Sequence, residues 1–143
     1  MIQIKILECS SKGDKRFSAF YAKVTIFGKF DSIENHYQLS KRFGDFVPST
    51  WKDAKGKTPT HFEVKGKSFD LKYMSMWYDL LWVKYLDVHP ELLEYAATFD
   101  DFNDIFKGKS INCQADSIRK YIKQGRSKVI EDGKDFIDLF KTK

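Results

Sequence analysis

The sequence predicts an α+β fold: a mostly helical single domain spanning residues 1–143, with a small antiparallel sheet near the N-terminus. Three observations lead there. Period-two alternation is confined to short stretches in the first third of the chain, longer segments further on carry helical or uniformly apolar patterns, and 143 residues at 42% hydrophobic and 16% aromatic suffice for one core. With only 3 Pro and 8 Gly, the chain is neither low-complexity nor a loop-rich scaffold.

Ile2, Ile4 and Ile6 alternate with Gln3 and Lys5, and Val24 and Ile26 alternate with Lys23 and Thr25, the signature of half-buried strands. These two are expected to pair with each other across the polar link CSSKGDKR. Asp31 is placed to cap a helix, with Glu34 completing a capping box, and that helix is expected to run to about Phe43. Residues 44–60 hold two of the three prolines and no helical period, so they predict a surface loop or lid. His61–Val64 reads as a short strand. Ser68–Val88 is apolar or aromatic on nearly every side and predicts the buried central helix. Pro90 suits the first turn of a helix through about Ala97, since a proline there gives up only a bond that the helix could not make. After the acidic connector FDDFNDIFKGKS, Ala115–Gln124 predicts a helix with Ile118, Tyr121 and Ile122 inward and Gly125 as its stop. A last short helix carries Phe136, Ile137 and Phe140.

Cys9 and Cys113 are distant in sequence, with no CxxC pair and no His at ligand spacing, so neither a metal nor any other cofactor is expected. Cys113 reads as an ordinary buried thiol, and His61 and His89 have no partner at triad or metal spacing. The segment MIQIKILECSSKGDKR puts Lys and Glu where a signal peptide needs its apolar stretch, and no uncharged run reaches membrane-spanning length. A cytoplasmic protein with reduced thiols and no membrane partner is expected. Residues 1–106 carry 15 Lys plus Arg against 15 Asp plus Glu, whereas residues 107–143 carry 10 against 5. The excess of +5 therefore lies in a basic C-terminal helical segment. Arg119, Lys120, Lys123, Arg126 and Lys128 are either a solvated face or a surface for an anionic partner, a nucleic acid among them.

On a wheel of 100° per residue, Glu34, Gln38 and Lys41 share one stripe of the first predicted helix, while His36, Leu39 and Phe43 fall opposite. A carboxylate, an amide and an amine in line can handle a sugar hydroxyl, a base edge and a phosphate. They also read as a cap and a solvated charge.

The segment FSAFYAKVTIFGKFDSIENHYQLSKRF resembles the opening signature of the NADAR superfamily, at Phe17, Ser18, Phe20, Gly28, Phe30, Ser32, Glu34, Tyr37, Gln38 and Lys41. Looser similarity follows at Lys84, Tyr85, His89, Pro90 and Leu92, at Asn103, Asp104 and Phe106, and at Asn112, Ala115 and Ile118. Asn35 stands where the family usually has His, and Phe69 roughly where a substrate-stacking Trp is expected. Phe106 ends a segment that usually continues into Trp-Gly, and residues 44–60 lack a good counterpart.

The resemblance implies a NADAR-like fold and an N-glycosidase of the kind that acts on riboflavin-pathway intermediates or ADP-ribose-like compounds. Its substrate would be a nucleotide-linked sugar, such as ADP-ribose on a nucleobase, whose removal would reverse a toxin or a defence signal. Cleaving an N-glycosidic bond passes through an oxocarbenium-like sugar, which a carboxylate stabilises or traps. Glu34 is the candidate for that role and Asp104 for orienting water or assisting the departing base. Gln38 and Lys41 would hold ribose hydroxyl and phosphate groups, with Ser18, Phe20, Phe106 and Asn112 as further substrate contacts. Trp77 and Trp82 are either stacking surfaces or core. The alternative is a non-catalytic protein that sequesters an ADP-ribose-type ligand or binds nucleic acid.

Overall fold

A computed structural model describes residues 3–104 and 113–141. Ile2, Phe106, Asn112 and the side chain of Phe140 lie outside the described residues. The strands are β1 (Ile6–Glu8), β2 (Lys23–Ile26), β3 (Lys29–Ser32), β4 (Lys41–Arg42), β5 (His61–Val64), β6 (Lys67–Phe69) and β7 (Asp101–Asn103). The α-helices are α1 (Ile33–Gln38), α2 (Trp51–Ala54), α3 (Met74–Asp87), α4 (Pro90–Ala97), α5 (Gln114–Gln124), α6 (Arg126–Asp132) and α7 (Lys134–Lys141). The fold is α+β, with helices built around three small sheets.

The two N-terminal strands do not pair with each other. β1 instead runs parallel to β7, with Leu7 opposite Phe102, and its expected facing is inverted: Leu7 and Cys9 are buried, while Ile4 and Ile6 face outward. A shift of one residue exchanges the faces of a strand, and the burial of Leu7 against Phe102 fixes this register. β2 turns back into β3 as an antiparallel hairpin. Its turn residues Phe27 and Gly28 have φ of 50° and 82°, the left-handed pair a two-residue hairpin turn demands, and Gly28 meets it without steric cost.

The first helix is shorter than its pattern predicts. Ser32, not Asp31, is the N-cap, its side chain accepting from the Asn35 amide at 3.0 Å. The helix ends at Gln38, where the Ser40 hydroxyl donates to the Tyr37 carbonyl at 2.6 Å and the Glu63 amide donates to the Ser40 carbonyl at 2.8 Å. Lys41 and Arg42 are thereby drawn into antiparallel pairing with β5. A six-residue helix has little stability of its own, so tertiary pairing decides where it stops. The buried side of α1 carries Ile33, Glu34, Tyr37 and Gln38; His36 is half-buried, with Nε2 2.8 Å from the Val24 carbonyl.

Residues 44–60 contain α2, where the Thr50 amide donates to the Asp53 carboxylate at 3.2 Å and Ala54 is buried. The central helix begins later than expected, because Phe69 pairs with Phe62 across β5 and β6 and Asp70 caps a short 3-10 turn. From Met74 the helix α3 is buried on most sides through Trp77, Tyr78, Leu81, Trp82, Val83, Tyr85 and Leu86. Around it one cluster joins Phe17, Ile33, Phe62, Phe102, Ile118 and Phe136. Phe136 reaches this core from α7 and meets Phe62, Phe69 and Trp77. α4 begins at Pro90 as expected, and α5 stops at Gly125, whose φ of 94° suits glycine; the helix α6 that follows has no counterpart in the sequence reading.

Candidate active site

The turn after Phe17 positions the site. The Ser18 carbonyl accepts from the amides of Tyr21 and Ala22 at 3.0 and 2.7 Å, and this turn receives the start of α1: the Ile33 amide donates to Ala22 and the Glu34 amide to Ala19, both at 2.9 Å. Glu34 is thus fixed by backbone contacts before its side chain makes any.

That side chain is 9% exposed. Gln38 Nε2 donates to one carboxylate oxygen at 3.0 Å, and Lys55 Nζ stands 3.6 Å from the other. The second polar atom of Gln38, Oε1, is buried with no hydrogen-bond partner among the described residues, as is the Ser18 hydroxyl. Each is an unspent polar group in a place where one is costly.

Lys41 reaches the same place from β4 rather than from the helix. It is 8% exposed, with Nζ 5.2 Å from the Tyr37 ring centre. Burial pulls its pKa below the ordinary lysine value; Glu34 opposes that shift and Lys55 adds to it. A neutral amine is therefore easier to reach here than at the surface, which suits proton transfer or attack on carbon, whereas the protonated form suits anion binding. Tyr78 lies behind, T-shaped against Tyr37 at 4.9 Å. Burial raises its pKa well above the ordinary tyrosine value, and Glu34 and Cys113 push it in the same direction.

Asp104 follows β7 and is buried. Gln114 Nε2 donates to it at 3.0 Å, and the Cys113 thiol is 3.7 Å away. Gln114 Oε1 accepts from the Ala19 amide at 2.6 Å, so one amide side chain joins Asp104 to the turn that holds Glu34. Arg119 keeps β7 against α5 by donating to the Phe102 carbonyl and pairing with Asp101. Burial pushes the Cys113 thiol up, in keeping with an unreactive thiol.

Phe20 is 38% exposed and meets Trp51 edge-on at 5.3 Å. Lys55 Nζ lies 4.9 Å from the Phe20 ring centre and 5.9 Å from that of Trp51. Trp51 and Lys55 carry no signal in the sequence pattern, because they lie in the segment without helical period. The spacing Thr50-x-x-Asp53 is the signal that marks α2 there.

The structure thus gathers Glu34, Gln38, Lys41 and Phe20, ties Asp104 to them through Gln114, and places Ser18 in the adjoining turn. Phe69 packs in the core against Phe62 and Phe136, and Trp77 and Trp82 are buried with it. Cavities of about 170 and 520 Å³ lie elsewhere, one beside Asp31, Asn35, His36 and Glu63, the other beside Phe69, Tyr73 and Leu139. Among the described residues no group of three or more His, Cys, Asp or Glu could hold a metal ion, and no helix is long and apolar enough to cross a membrane.

A short capped helix presenting Glu34 and Gln38, with Lys41 from the adjoining strand, thus brings a carboxylate, an amide and an amine together. A family model described as DarT1-associated NADAR antitoxin matches residues 2–143, and the protein belongs to that family. No curated protein matches the chain.

Proposed function

We propose that the protein is an N-glycosidase that releases an ADP-ribose-like sugar from a nucleobase, and thereby acts as the antitoxin of a toxin–antitoxin pair. The observation that carries this reading is the buried Glu34 carboxylate, with an amide on one oxygen and, near the other, an ammonium that also lies over Phe20 and Trp51. The family description, an antitoxin associated with DarT1, supports the biological half.

In this reading the bond from the anomeric carbon to the base nitrogen breaks, and the base departs with the bonding pair and takes up a proton. Glu34 stabilises the positive charge that develops on the sugar. Asp104 orients water, which adds to the anomeric carbon and loses a proton. Gln38 Oε1 accepts from a ribose hydroxyl, and Lys41 holds a phosphate oxygen.

The test is incubation of the pure protein with ADP-ribosylated DNA, NAD and phosphorylated riboflavin intermediates, followed by mass spectrometry of released base. Release from one of them, lost in Glu34→Gln, is expected. Tight binding without release would overturn the enzyme in favour of a protein that sequesters its ligand.

A further inference from the structure

The Glu34 carboxylate meets the half-exposed side chain of Lys55. Lys55 Nζ is 3.6 Å from the carboxylate and its side chain is 42% exposed, and the same ammonium covers the Phe20 and Trp51 rings. Lys55 is exposed enough to swing into solvent, whereas Glu34 is buried, so the pair separates when an incoming group meets the carboxylate in its place. Next to it, the buried Gln38 Oε1 has no partner among the described residues and is an acceptor awaiting a donor. One displacement of Lys55 would uncover both an anionic site for a sugar and an aromatic face for a flat ring.

We propose that Phe20, Trp51 and Lys55 form the recognition element of this site, taking a planar base on the face of Trp51, against which Phe20 stands at 80°, and a phosphate on Lys55, which leaves Glu34 when the ligand enters. This rests on the reading above that Glu34 faces the sugar. Bases stack on aromatic rings whatever their identity, so Trp51 supplies affinity for a base in general. The ammonium supplies a demand for an anionic group. The preferred ligand class is therefore a nucleotide, over a nucleoside or a sugar phosphate alone. Exchange of Lys55 from carboxylate to phosphate ties exposure of Glu34 to arrival of a ligand that carries both parts.

The test is calorimetric binding of ADP-ribose, adenosine and ribose 5-phosphate to the wild-type chain and to Trp51→Ala, Trp51→Phe and Lys55→Met, with thermal melts to verify folding. Trp51→Ala is expected to lose about tenfold in affinity for ADP-ribose and adenosine but not ribose 5-phosphate, the usual scale for one stacked base. Trp51→Phe is expected to recover most of that loss. Lys55→Met is expected to weaken ADP-ribose and ribose 5-phosphate and to spare adenosine. Unchanged affinities, loss of all three probes together in folded variants, or a wild-type chain that binds none of them would overturn the proposal. Turnover by the wild type and by Glu34→Gln is measured separately, so the glycosidase reading and this recognition element can fail independently.

Discussion

Gln114 donates a buried hydrogen bond to Asp104, Nε2 to Oδ2 at 3.0 Å. Because its other polar atom accepts from the Ala19 amide at 2.6 Å, it orients Asp104 relative to the turn beneath Glu34. Gln114→Glu retains the acceptor for Ala19 and replaces the donor with a second carboxylate. Like charges this close tend to hold a proton between them. The acid limb of the pH–rate profile should then move to higher pH, while the melting temperature at neutral pH falls only modestly. Gln114→Leu should lower stability without that displacement. An acid limb that stays in place in Gln114→Glu would limit the residue to a structural role.

Glu34→Gln should reduce turnover by at least about a hundredfold, the usual scale for a positioned acid or base. The fold should persist, because Ser32 rather than Glu34 caps α1 and the amide can still meet Gln38. Lys55 loses its carboxylate partner in this variant, so affinity for a phosphate-bearing ligand should hold or rise. Single-turnover kinetics together with binding separates the two effects. Wild-type turnover in the variant would sink the catalytic role.

Much of the architecture could be read from local pattern, and the exceptions share a physical cause. The burial of α3, the start of α4 at Pro90 and the stop of α5 at Gly125 depend on composition and backbone stereochemistry within a few residues. The end of α1 and the start of α3 depend instead on β5, whose pairing captures Lys41 on one side and Phe69 on the other. The partner of β1 is 95 residues away along the chain, and no periodicity encodes it. The site divides in the same way: Glu34 and Gln38 are one helical turn apart and legible as a pair, whereas Lys55 and Gln114 reach it only through tertiary closure. Lys41 falls on the helical stripe of Glu34 by spacing, yet a strand and not the helix delivers it.

Lys41 gives the site a pH dependence whose direction separates two roles. Burial lowers its pKa, so its positive charge is present at low pH and is lost at a lower pH than that of an ordinary lysine. If Lys41 holds a phosphate oxygen, ligand affinity should weaken over that interval, and Lys41→Arg, which stays charged, should remove the dependence. If the neutral amine takes a proton or attacks carbon instead, turnover should rise over the same interval and Lys41→Arg should abolish it. Parallel titrations of affinity and turnover distinguish these outcomes.

The basic cluster that suggested a nucleic-acid partner is largely occupied by acids of the same chain. Arg119 pairs with Asp101 at 2.8 Å and Asp116 at 2.6 Å, and Lys120 with Asp132 at 3.1 Å and Asp79 at 3.5 Å. Arg126 pairs with Asp87 at 3.0 Å, and Lys128 with Asp132 at 3.1 Å. Lys123 differs in its contacts, with Nζ 3.4 Å from the Phe99 carbonyl and 6.0 Å from the Phe102 ring centre. Five cations free to neutralise phosphates would give a slope of log K against log salt of roughly −4.5, at about −0.9 for each contact. Pairing within the chain predicts a slope nearer about −1 for binding to unmodified duplex DNA. Lys123→Glu should remove most of that residual dependence and leave stability unchanged. Arg126→Glu should cost less than about 1 kcal/mol, as exposed pairs do, through repulsion from Asp87. Fluorescence anisotropy with labelled DNA across a salt series measures the slope. A value steeper than about −3 would mean that these side chains exchange their carboxylates for phosphates and that the C-terminal helices grip the polymer.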